Sequence, residues 1–130
     1  MEEASKGRFR ILSVSYDELL LKMRHMILEN AGYDVVSAHG FEASIEQCKR
    51  GGFDLFVLGH SIPHADKRNM VDAFRRACPA PIISLSRGAS EQWVDGAEFH
   101  VDPDPEPLLE LVARVEKKSP SHQGRLHGSA

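Results

Sequence analysis

ILSVSYDELLLKMRHMILENAGYDVVSA, residues 11–38, changes its apolar period twice. With two residues added in front, FRILSVS (9–15) clusters and alternates apolar side chains as a short buried strand does. Leu19, Leu20, Met23, Met26, Ile27 and Ala31 then recur at helical spacing, with Asp17 able to cap the start and Gly32 supplying a left-handed stop. YDVVSA (33–38) returns to the β-branched pattern of a strand. Strand, helix and strand in so short a span is the pattern of two parallel strands joined by a crossover helix.

The same alternation continues outward. FEASIEQCKR (41–50) reads as a helix with Phe41, Ile45 and Cys48 inward, ended by Gly51-Gly52. FDLFVL (53–58) is almost wholly apolar, as a mid-sheet strand covered on both faces must be. Past Pro63, ADKRNMVDAFRRAC (65–78) sets Met70, Val71, Phe74 and Cys78 on one helical face, and Pro79 and Pro81 stop it. PIISLS (81–86) and EFHV (98–101) are the remaining strands. PLLELVARVEKK (107–118) closes the domain as a helix with Pro107 in its first turn and Leu108, Leu111, Val112 and Val115 inward. The pattern predicts an α/β fold over 9–118, a parallel sheet between two helical layers, with 1–8 and the polar tail 119–130 disordered. In such sheets ligands bind beyond the carboxyl ends of the strands, which directs attention to the loops after residues 15, 59 and 86.

Composition narrows the function classes. A chain of 130 residues, 42% hydrophobic and 27% charged, fits one soluble domain, and a net charge of −3 lacks the basic footprint of a nucleic-acid binder. The basic pairs Lys49-Arg50, Arg75-Arg76 and Lys117-Lys118 fall on helices among acidic neighbours and read as solvated surface. No apolar run approaches the roughly 18–20 residues of a membrane span, so a cytoplasmic protein is expected. Cys48 and Cys78 read as reduced thiols. His60 and His64 flank Ser61-Ile62-Pro63 without a third ligand nearby, and no metal site or cofactor is expected.

The order and spacing of four segments, ILSVSYDELLLKMRHMILENAGYDVVSA, FDLFVLGHSIP (53–63), PIISLS and GAEFHVDP (96–103), resemble the receiver domain of response regulators from residue 9 to about 117. The resemblance implies a CheY-like, flavodoxin-like (βα)5 three-layer sandwich with sheet order 2-1-3-4-5. It also implies a site in which an acidic pair after strand 1 and an aspartate ending strand 3 hold Mg²⁺, the last aspartate accepting a phosphoryl group. Here the acidic pair aligns with Ser15 and Tyr16, and the phosphoacceptor aligns with Gly59. The family's lysine after strand 5 aligns with Asp102, followed by Pro103, and the Asp102-Pro103 bond is expected to be cis, as the family's bond at that place is. Ser86 matches the hydroxyl ending strand 4, Asp17 remains close to the site, and Phe99 matches the switching aromatic. An aspartyl phosphate needs a carboxylate nucleophile and a metal to neutralise the moving oxygens.

The expectation is therefore a degenerate receiver that is not an enzyme and works as a phosphorylation-independent protein-binding module. Its partner would be another signalling protein or a second copy. A small-molecule or metal sensor using the vacated pocket around Tyr16, Gly59, His60, Ser86 and Asp102 is the alternative. RGASEQWVD (87–95) is too short for the family's fourth helix, which should be a shortened or distorted stub. Arg87, Trp93 and Phe99 are the candidate contact residues.

Overall fold

A computed structural model describes residues 8–87, 94 and 96–118. Five parallel strands, β1 (Arg10–Ser15), β2 (Asp34–His39), β3 (Leu55–Leu58), β4 (Ile82–Leu85) and β5 (Phe99–Val101), form one sheet in the order β2-β1-β3-β4-β5. Four described helices, α1 (Glu18–Asn30), α2 (Phe41–Arg50), α3 (His64–Ala77) and α4 (Pro105–Lys118), cover it. The fold class, sheet order and every strand and helix read from the sequence are found, with boundaries moved by one or two residues. The expected stub between β4 and β5 and, apart from Arg8, the termini 1–8 and 119–130 expected to be disordered fall on residues 1–7, 88–93, 95 and 119–130, which lie outside the described residues.

The central strands explain the continuous apolar runs. β3 and β4 are buried along their whole length, so both pleat faces need apolar side chains. On one face Leu12, Val14, Phe56, Leu58 and Ile82 meet Cys48 of α2 and Met70, Val71 and Phe74 of α3. On the other, Ile11, Val35, Leu55, Val57, Ile83 and Leu85 meet Leu28 of α1 and Leu108, Val112 and Val115 of α4. Both cysteines are free thiols, and burial, followed by the neighbouring Cys78, pushes the Cys48 thiol up.

Helix α1 begins where Asp17 accepts a hydrogen bond from the Leu20 amide at 3.1 Å, and Gly32, at φ 101°, turns the chain toward β2. Its buried face differs from the simple apolar stripe. Leu21, Arg24 and Leu28 point inward, while Leu19, Met23 and Met26 are exposed. A second correction concerns the turn after β5. The Asp102-Pro103 peptide is trans, the isomer favoured intrinsically by ~0.5–1 kcal/mol, and with Asp102 exposed no packing of its side chain reverses that preference.

Candidate functional site

Strand order reverses between β1 and β3, which puts the carboxyl ends of these strands side by side, Val14 pairing with Leu58. Ser15, Tyr16 and Asp17 therefore face Gly59 and Ser61 across the crevice. Ser15 is fully buried, and its hydroxyl accepts from the Asp17 amide at 3.0 Å and lies 3.2 Å from the Ser61 hydroxyl. The Tyr16 amide donates to Ser61 Oγ at 3.3 Å. These bonds tie the loop after β1 to the loop after β3 through neutral groups.

Two nearby carboxylates are committed elsewhere. Asp17 caps α1, and Asp66 of α3 accepts from the Tyr16 hydroxyl at 2.7 Å. Burial, then the Asp66 carboxylate, pushes the Tyr16 phenol well above its usual range, so it remains a neutral donor. Among the described residues no group of three His, Cys, Asp or Glu side chains is placed to hold a metal ion.

Gly59 is buried at the end of β3, its amide donating to Val14 O at 2.8 Å. A Cβ at this position would stand 3.1 Å from that same carbonyl and 3.4 Å from Nη1 of Arg24. Arg24 is 6% exposed, and its Nη1 has no hydrogen-bond partner. Desolvation lowers the guanidinium's pKa, the mark of a cation held where it is poorly stabilised. The place next to position 59 thus belongs to a buried positive charge.

Lys67 of α3 is the second buried cation. Its ammonium donates to Ser84 Oγ at 2.8 Å and to Leu85 O at 2.9 Å, at the end of β4. Beyond it Ser86 bonds through its amide to Val101 O, while its buried hydroxyl has no partner. Asp102 and Arg87 are exposed, Phe99 and Pro103 half-buried, and Phe99 packs against the α1–α4 side of the core. Arg87 Nε donates to His60 Nε2 at 3.4 Å. Trp93 lies outside the described residues. The structure gathers Ser15, Tyr16, Asp17 and Gly59 as the sequence implies, and adds Arg24 and Lys67, which sequence reasoning missed. Their signal was present: Arg24 shares helical spacing with Leu21 and Leu28, and Lys67 with Met70, Val71 and Phe74.

No family model matches the chain. The chain is 31% identical to the transcriptional regulatory protein CpxR of Escherichia coli over 110 residues, covering 82% of this chain and 47% of CpxR. It is 28% identical to the nisin biosynthesis regulatory protein NisR of Lactococcus lactis over 112 residues, covering 83% of this chain and 49% of NisR. The chain thus spans about half the length of the curated relatives it matches. Among solved structures, the response regulator TrrA of Thermotoga maritima, bound to Mg²⁺ and BeF, superimposes with a TM-score of 0.71 at 22% identity, covering 82% of this chain and 97% of that one. The chemotaxis protein CheY4 of Vibrio cholerae gives 0.71 at 22%, covering 83% and 98%. With 31% identity to CpxR over 82% of the chain and the sheet order that of these neighbours, the chain belongs to the CheY-like receiver domains of response regulators.

Proposed function

We propose that this receiver domain passes its signal through a protein contact, without phosphoryl transfer and without being an enzyme. Position 59 carries the reading. Glycine there offers no carboxylate nucleophile, and the Arg24 guanidinium lies 3.4 Å from where a side chain would begin. A divalent metal brought to this place would meet a buried cation instead of an acidic pair. Asp102 at the family's lysine position adds a negative charge where a phosphoryl group needs a positive one.

The proposed contact region is the stretch from Arg87 to Phe99 with the outer side of α4, and the partner is another cytoplasmic signalling protein or a second copy. Support comes from the shortness of 87–95 relative to the family, since fewer residues there leave apolar area to be covered by a partner. The test is intact-mass measurement after incubation with acetyl phosphate and Mg²⁺. An unchanged mass is expected. A gain of one phosphoryl group that hydroxylamine removes overturns the reading.

A further inference from the structure

Beside the crevice, a groove of about 170 Å³ opens between α1 and the turn from β5 into α4. Arg24 lines it from α1, His60 from the loop after β3 and Arg87 from the end of β4. Asp104 is the one carboxylate among its described lining residues, so two arginines face one aspartate. Arg87 Nε donates to His60 Nε2 at 3.4 Å, which draws the rim arginine toward the loop after β3. Arg24 is the unusual member: 6% exposed, with Nη1 unpartnered. A buried guanidinium ordinarily has an anion on its fork of donors, and the planar group that matches that fork is a carboxylate or a phosphate.

The rest of the lining decides between those two. Leu20, Ile27 and Leu108 give the groove apolar walls. Inorganic phosphate would leave these walls uncovered, whereas an organic acid lays its hydrocarbon part against them while its carboxylate reaches the arginine. At ~30 Å³ per water molecule the groove holds the equivalent of about five or six waters, so the acid is short. We propose that this groove is a binding site for a short-chain organic carboxylate, anchored by Arg24 with Arg87 at the rim. It needs only the cavity and the unpaired guanidinium, so it stands whether or not the domain also binds a protein.

The test uses the full chain with butyrate, its neutral isostere butyramide, and inorganic phosphate, all at matched ionic strength, followed by calorimetry and thermal melting. Butyrate is expected to bind saturably and raise the melting temperature, butyramide to do neither, and phosphate to bind at least tenfold more weakly than butyrate. The Arg24→Met variant, which keeps an apolar stem of similar length and removes a buried charge, should melt cooperatively and bind butyrate at least tenfold more weakly. Equal effects of butyrate and butyramide, undiminished butyrate binding by Arg24→Met, or no butyrate binding would each overturn the proposal. Phosphate binding as tight as butyrate would overturn the carboxylate assignment. The butyrate and butyramide comparison needs no variant, and the outcome of the acetyl phosphate experiment has no bearing on it.

Discussion

Arg24 and Tyr33 show how single side chains set the properties of this domain. A buried guanidinium without a partner opposes folding, because desolvation is not returned by pairing. Replacing Arg24 with Met should therefore stabilise the apo domain by about 1 kcal/mol or more, read from urea unfolding at neutral pH. A lower midpoint would mean the charge is compensated in the folded chain. Tyr33 donates to Glu116 across the α1–α4 side of the core, and burial, then that carboxylate, pushes its phenol up to about 12 from 10.0. Its folded pKa is raised, so the stabilisation is whole below about pH 10, where the unfolded phenol is neutral, and is lost as pH rises toward 12. Absorbance at the tyrosinate band should show the chain's two tyrosines ionising above 10 when folded and near 10 in urea, and Tyr33→Phe should flatten the alkaline fall in stability.

Helices were legible as segments more than as faces. The end of α2 came directly from Gly51-Gly52, and β3 from an apolar run that only a doubly covered strand requires. The face of α1 was harder, since nearly every position from Leu19 to Leu28 except the charged ones is apolar, and an apolar stripe does not reveal that Arg24 sits inside it. The orientation has a consequence for stability. Met23 is 49% exposed and Met70 is fully buried. Met23→Ser should cost under about 0.5 kcal/mol, whereas Met70→Ala should cost roughly 2–5 kcal/mol through the cavity it leaves; thermal melts of the two variants compare them directly. The edge strand β5 was visible only in outline because three residues carry little periodicity. Much of its attachment is lateral, with Glu98 accepting from the Ile82 amide at 2.8 Å and pairing with Arg75 of α3.

For the molecule as a whole, the sequence resemblance assigns the family site to Ser15, Tyr16, Gly59 and Asp102, and the structure brings the first three together at the crevice. The resemblance could not report that a charge from α1 occupies the neighbouring space, since Arg24 reaches Gly59 through packing across 35 positions of sequence (59 − 24). The proposed contact surface belongs to this scale too. Trp93→Ala should weaken association by about 2 kcal/mol or more if it anchors a partner, while a core role would lower the melting temperature with little change in binding; calorimetry and melts of one variant separate these outcomes.

Under the proposed reading, the closeness of Arg24 to Gly59 also bears on how readily such a sequence could acquire phosphoryl chemistry. A codon change giving aspartate at 59 would set a new carboxylate beside a guanidinium already waiting for one, with Val14 O only 3.1 Å from its Cβ. The variant is expected to gain an internal ion pair and remain unmodified by acetyl phosphate. A carboxylate introduced at 59 is thus expected to be engaged by Arg24 before it can serve as a nucleophile. Under the proposed reading, acquiring the chemistry would need changes at Arg24, Ser15, Tyr16 and Asp102 as well as at 59, so no single substitution is expected to supply it.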